Sequence, residues 1–279
     1  MREISCETIS RAVAETICKA NFELPADVLE AIAKARRLEA SENGRMLLGR
    51  IEENARVAHE CRLPLCQDTG TAVFFVEVGA ELHITDGLLS DAVNAGVREG
   101  YKSGYLRKSI CHPFTRANTG DNTPAVIHYI PVAGDRLRIT YLAKGGGAEN
   151  KSAVRMLKPS DGRQGVVDTV VDIVSMAGAS TCPPVVVGVG IGGNMERAAW
   201  LAKYALRRSL DCHNHDPQLA ELESELFSRL NRLGIGPLGL GGTTSCLGVH
   251  VELEPCHIAS LPLAVNLNCH SDRRGEVEL

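Results

Sequence analysis

The chain has 279 residues, 44% of them hydrophobic, and a formal net charge of -4. Such a chain can bury a substantial core, and it carries no cationic footprint for nucleic acid. No apolar run reaches the roughly 18–20 residues of a membrane span, and the early acids Glu3 and Glu7 do not suit a signal peptide. A cytoplasmic, reducing setting is expected, in which the ten cysteines point to metal or catalysis and away from a disulfide framework.

Up to about residue 62 the sequence reads as helix. Ile4, Ile9, Val13 and Ile17 make a first apolar stripe, and Pro25 and Asp27 open a second helix. "GRMLLGRIEENARVAHECRL" continues helically until Pro64. Thr71–Gly79 is β-branched and aromatic, hence a strand, and "DGLLSDAVNAGVREGYKSGYL" returns to helix. "PAVIHYIPV" and "RLRITYLAK" read as two strands joined hairpin-fashion through Ala133, Gly134 and Asp135. "GRQGVVDTVVDIVSMAG" is a helix closed by Gly178, and "PPVVVGVGIGG" a buried strand running into a helix from Asn194 to Leu210. "DPQLAELESELFSRLNRLG" is amphipathic, and "LGVHVELEP" and "IASLPLAVNLN" are strands. The expected fold class is α/β: a mixed β-sheet surrounded by helices, with a helical N-terminal segment, residues 1–279 forming a single domain.

Polar and glycine residues gather at the ends of these elements, where binding groups are commonly carried. Gly188-x-Gly190-x-x-Gly193 matches a dinucleotide fingerprint, but a second strand bearing an acid about 20 residues on is required, and helix follows instead. A nicotinamide oxidoreductase is thereby disfavoured. "AKGGGAENKS" frees the backbone to approach a ligand, and a helix over Ala148–Leu157 would aim its N–H groups at an anion; the plain alternative is a tight turn.

Among the cysteines there is no C-x-x-C pair, so neither a structural zinc site nor a ferredoxin-type run is indicated. Cys6, Cys18, Cys61 and Cys212 fall in helices or helix ends, where an inert thiol is the default. Cys66, Cys182 and Cys269 sit in polar turns. They are either packing residues or three thiolates holding a cubane cluster with one open, Lewis-acidic iron.

"PLCQDTGTA", "NTGDNTPA", "AKGGGAENKS", "CPPVVVGVGIGGNMERAA", "GIGPLGLGGTTSCLGVHVE" and "PCHIASLPLAVNLNCHSDRR", in this order from about Ala31 to Arg274, resemble the class I (iron–sulfur) fumarase family. They correspond to its N-terminal, cluster-binding half, which is the separate α subunit in two-subunit fumarases and L-tartrate dehydratases. The resemblance implies a 4Fe–4S cluster with one open iron held by Cys66, Cys182 and Cys269. It further implies Gln67 and Asp68 as the active-site pair beside the first ligand, Arg107 as a carboxylate-binding arginine, Gly146 as a backbone contact to a substrate carboxylate, and His257 as a substrate-binding histidine. The implied activity is reversible hydration of fumarate to malate, or dehydration of tartrate to oxaloacetate. The chain ends at Leu279, soon after Cys269. A β subunit carrying the remaining site residues, including the catalytic base, is therefore expected, in an α2β2-type heteromer with no nucleic acid or membrane. The alternative from another class is a non-catalytic iron–sulfur sensor or scaffold, which would need the cysteines but not Asp68, Arg107 and His257.

Overall fold

The structure, a computed structural model, describes residues 2–279. The chain folds into two compact units, each drawn from separate segments of the sequence. The first comprises residues up to Pro25, Asn54–Gly146 and Arg273–Leu279; the second comprises Ala26–Glu53 and Gly147–Asp272. No helix is long and apolar enough to cross a membrane among the described residues.

In the first unit, β1 (Arg2–Ser5) leads into α1 (Cys6–Phe22), capped by Ser5, whose Oγ accepts the Thr8 N–H. Strand β2 (Thr71–Gly79) is central. The sheet order is β10-β5-β2-β4, with β4 (Val126–Val132) parallel to β2, β5 (Leu137–Lys144) antiparallel to it, and β10 (Arg274–Glu278) antiparallel to β5. A separate ribbon pairs β1 with β3 (Leu82–Thr85) in parallel. The two strands expected to form a hairpin do not touch as neighbours, because β2 is inserted between them and satisfies both of their inner edges. Phe74 and Val76 of β2 and Ile139 and Tyr141 of β5 share one face of the sheet. They form a core with Ile9, Val13 and Ile17 of α1 and Val93, Val97 and Tyr101 of α4 (Leu89–Ser103).

The second unit contains α2 (Ala26–Leu38) and most of α3 (Glu42–Cys61), whose last turns belong to the first unit. A single helical turn, α5 (Gly146–Glu149), is followed by strand β6 (Ala153–Leu157), so the helix expected over 148–157 is not formed. Val154, Arg155 and Met156 instead pair in β6 with Ala264, Leu263 and Pro262 of β9 (Leu261–Asn268). The sheet order is β6-β9-β7-β8, in which β7 (Val185–Gly193) runs parallel to β8 (Cys246–Cys256) and antiparallel to β9. Val187, Val189 and Ile191 face α6 (Gly162–Ala177) and α8 (Pro217–Asn231) in the larger core.

The alternate residues of β7 point to the other face, where α7 (Met195–Ala205) lies. A Cβ on Gly188 would stand 2.0 Å from the Ala202 carbonyl oxygen, and one on Gly190 2.1 Å from that of Ala198. These glycines let a helix backbone lie directly on a strand. That accounts for the fingerprint-like spacing without a nucleotide.

Glu39, which is 2% exposed, anchors the "GGTTSC" loop. Its carboxylate accepts the backbone N–H groups of Ser41 (2.9 Å), Thr243 (2.8 Å) and Thr244 (2.7 Å), and the Thr243 hydroxyl (3.0 Å). Burial pushes its pKa up, but these donors outweigh burial and hold it down at about 2. A carboxylate unperturbed in the unfolded chain titrates near 4.3. Glu39 therefore stabilises the fold above that pH, and the contribution is lost as the pH falls through about 2. Glu39→Gln is expected to lower stability by about 2 kcal/mol at neutral pH. In urea titrations the gap from wild type should narrow between about pH 4 and about pH 2. A gap unchanged across that range would contradict the clamp.

Candidate active site

In the first unit, strand register fixes where the motif loops go. Thr71 pairs with Lys144, Val73 with Val126, and Arg274 with Leu142. The starts of β2, β4 and β10 and the end of β5 thus share one end of the sheet. Residues 66–70, 118–124, 145–146 and 273 all leave from it.

The turn before β2 is held from several sides. Leu65 N–H donates to the Asn21 carbonyl (2.9 Å), and Asn54 Nδ2 to the Leu65 carbonyl (2.9 Å). Asp68 Oδ1 accepts the Gly70 N–H at 3.0 Å, an Asx-type turn. Asp68 Oδ2 accepts the Gly146 N–H at 2.7 Å. Gly70 has φ +74°, and a Cβ there would meet the Lys144 backbone at 2.7 Å, so only glycine can run this close to the end of β5. The Thr69 hydroxyl is buried and donates to the Arg107 carbonyl at 2.7 Å. Cys66 and Asp68 are left half-buried, with Gln67 exposed between them.

Asn122 is the residue here that sequence reasoning missed. It is fully buried with φ +64°. Its Oδ1 accepts the N–H groups of Ser109 (2.6 Å) and Ile110 (3.2 Å), while its Nδ2 donates to the Gly70 carbonyl (3.2 Å). One amide thus joins three motif loops, including the segment that carries Arg107. The signal was available, since an asparagine next to Thr-Pro in a glycine-containing loop is a residue type that tolerates the left-handed region. The Arg107 side chain is exposed and makes no hydrogen bond or ion pair among the described residues.

The second unit follows the same plan. Val185 pairs with Cys246, and Val186 with Asn268. The starts of β7 and β8 and the end of β9 therefore share one end, and Cys182 and Cys269 stand there. Cys182 is exposed and left-handed, with φ 53° and ψ 63°, a conformation that costs a non-glycine residue free energy. His270 donates its backbone N–H to the Cys182 carbonyl (3.3 Å), and its Nδ1 lies 2.8 Å from the same oxygen, which requires the Nδ1–H form. These bonds draw the Cys182 and Cys269 turns together. The glycine loop's downstream half is tied to the same strand: Glu149 accepts from Asn266 Nδ2 (3.2 Å) and pairs with Lys203, and Leu267 N–H donates to Ser152 Oγ (3.0 Å).

His257 lies exposed in the turn between β8 and β9, its Nδ1 accepting the Ala259 N–H (3.1 Å). Cys269 follows the opposite end of β9. Eight strand residues at roughly 3.3 Å each separate the two by about 25 Å. Register agrees, for Gly193 pairs with Cys256 whereas Val186 pairs with Asn268. His257 and the Cys182–Cys269 pair thus occupy opposite ends of one sheet.

Cys246 is the one buried cysteine among the described residues. Burial pushes the Cys246 thiol up to about 12, so it stays protonated and inert. None of the ten cysteines is in a disulfide. Among the described residues, no three His, Cys, Asp or Glu side chains converge as a metal-binding group. Of the three expected ligands, Cys66 belongs to the first unit, and Cys182 and Cys269 to the second.

Comparison with known proteins bears on this geometry. Residues 10–278 match the family model described as Fumarate hydratase (Fumerase). A Methanocaldococcus jannaschii protein provisionally named L(+)-tartrate dehydratase subunit alpha is 39% identical over 273 residues, covering 96% of each chain. The L(+)-tartrate dehydratase subunit alpha of Escherichia coli (strain K12) is 35% identical over 271 residues, covering 96% of this chain and 89% of that protein. That of Escherichia coli (strain UTI89 / UPEC) is 34% identical over 275 residues, covering 97% and 90%. This chain, a hydro-lyase by kinship, belongs to the fumarate hydratase (Fumerase) family.

Proposed function

We propose that this chain is the α subunit of a 4Fe–4S-dependent hydro-lyase that adds or removes water across a C4 dicarboxylate, interconverting fumarate and malate. The observation that carries the reading is the turn 66–70. It presents a thiol, an amide and a doubly anchored carboxylate in succession, and it is tied to the backbone of Arg107, whose exposed side chain is uncommitted. A second reading, tartrate to oxaloacetate, is favoured by the relatives named as L(+)-tartrate dehydratase subunits.

The donor set fits a cluster. Cys66, Cys182 and Cys269 are soft ligands, free of disulfides, in turns at strand ends, and the last two are drawn together through His270. These three would hold the cluster. When bound, it supplies a Lewis-acidic iron that polarises the substrate hydroxyl and the neighbouring carboxylate.

The protein's own groups do the rest. Asp68 has both oxygens bonded to backbone N–H groups, so its carboxyl is fixed in orientation before substrate arrives and can exchange a proton with the hydroxyl that leaves or adds. Gln67, exposed on the same turn, offers a donor and an acceptor that orient that hydroxyl. The Arg107 guanidinium suits bidentate binding of a carboxylate. A substrate carboxylate that reaches the Gly146 amide shares it with Asp68 or displaces Asp68 from it. His257, exposed in the turn after β8, stands at the other end of its sheet from Cys182 and Cys269.

The relatives are α subunits by name. We assign a β subunit as partner accordingly, supplying the group that removes the proton next to the carboxylate, in an α2β2-type assembly.

Anaerobic reconstitution tests the ligand set. Cys66→Ser, Cys182→Ser and Cys269→Ser should each impair retention of iron and sulfide, whereas Cys212→Ser, altering an exposed thiol, should match wild type. Full iron content without Cys182 would sink the assignment. Co-purified with its partner, the chain should turn over fumarate or L(+)-tartrate at least about 100-fold faster than the cluster-loaded α chain alone, the low end of what one placed general base contributes. Equal rates would remove the partner from the site.

A further inference from the structure

Arg273 is the largest fully buried side chain of the protein, 1% exposed. Its Nη1 donates to Asn21 Oδ1 (3.1 Å), and Asn21 in turn donates to the Ile17 carbonyl (2.9 Å) and the Tyr141 hydroxyl (3.2 Å). Nε has no acceptor, and no carboxylate lies within ion-pair distance of the guanidinium among the described residues. A guanidinium cannot discharge itself by losing a proton, and a buried charge left uncompensated is costly. Its position therefore needs a reason.

The reason lies beside the glycine loop. Arg273 Nη2 is 3.8 Å from the point where a Cβ on Gly145 would stand, and Asp68 Oδ2 is 3.3 Å from that same point. The cation and the carboxylate flank Gly145 with no side chain between them. One buried tyrosine registers both charges, and a second registers the cation. Burial pushes the Tyr101 hydroxyl well up, with Tyr141 adding to the rise; the Arg273 charge opposes it and the Asp68 charge adds to it. Tyr141, likewise pushed up by burial, also feels Arg273. Both phenols stay neutral, so among these groups Asp68 is the anion that answers Arg273. The backbone fixes the cation in place, since the Arg273 carbonyl accepts the Ala143 N–H (3.0 Å) two residues before Gly145.

We propose that Arg273 is a positioning residue: a buried cation that holds the Asp68 carboxylate against the Gly146 amide and so sets the angle at which Asp68 meets substrate. Being buried, Arg273 does not itself touch substrate; it acts through Asp68. Gly145 is then glycine because a side chain would intrude between the two charges, at a contact of 3.3 Å to Oδ2. The inference rests on the hydro-lyase reading for its consequence in turnover, but not for its geometry.

The test uses the full-length α chain labelled with 15N-glycine, and the same variants in the complex with the partner subunit. A charge-assisted hydrogen bond holds the Gly146 amide proton downfield and slows its exchange. Arg273→Gln should move that resonance upfield and speed its exchange at least about 10-fold, while Arg273→Lys, which keeps the charge, should hold most of the shift. In the complex, Arg273→Gln should lower kcat at least about 10-fold with KM changed less than about 3-fold, because the loss falls on a group that acts in the transition state. Gly145→Ala, at a position whose φ suits an L-residue, should produce the same amide change by crowding Asp68, and it serves if Arg273→Gln does not fold. A merely structural Arg273 would lower the melting temperature in Arg273→Gln yet leave the Gly146 amide and kcat of the folded protein as in wild type. That outcome, or an unmoved Gly146 amide in Gly145→Ala, overturns the proposal. Absence of turnover on every C4 dicarboxylate would sink the hydro-lyase reading and leave the amide measurements to decide this one.

Discussion

The hydrogen bond between Asp68 and the Gly146 amide ties the turn before β2 to the loop after β5. Those two segments leave the sheet side by side only because Thr71 pairs with Lys144, and Gly70 lets them approach without a side chain in the way. Once that bond is in place, Thr69 can reach the Arg107 carbonyl, and Asn122 can span Gly70 and the segment after Arg107. The Asp68 carboxylate is therefore oriented by backbone donors, which have no rotamers to lose. Preorganisation of this kind is what a proton-transfer group requires.

The second unit achieves its order by different means. A close approach of helix to strand, made possible by Gly188 and Gly190, packs α7 on one face of β7. Valines and leucines from α6 and α8 fill the other face. With β7 and β9 held rigidly in register, their adjoining ends place the Cys182 and Cys269 turns where His270 can join them. The left-handed backbone at Cys182 is the local cost of turning that thiol outward.

Much of this was legible in the sequence. The β-branched run Thr71–Gly79 and the valine run ending in glycines form strands as read, because a strand buried on both faces needs only continuous apolar residues. The turn setting of Cys66, Cys182 and Cys269 is legible from their polar and proline neighbours. Strand pairing was less visible, since nothing local to β4 and β5 says that β2 will insert between them. Residues 153–157 could serve helix or strand, and the edge of β9 decided for strand. The strand pattern of residues 261–268 already sets His257 and Cys269 at opposite ends of β9. Asn122 and Arg273 lie inside recognisable motifs, but their burial depends on tertiary packing that no local pattern announces.

The central claim is that Asp68 is held ready to transfer a proton at the substrate hydroxyl. Asp68→Asn keeps the side chain's shape and an oxygen for a backbone donor but removes the group that exchanges the proton. Steady-state kinetics of this variant, in the anaerobically reconstituted complex with iron content measured in parallel, address the claim most directly. The account predicts kcat lowered at least about 100-fold with cluster content and substrate KM close to wild type. Turnover within a few-fold of wild type would contradict it.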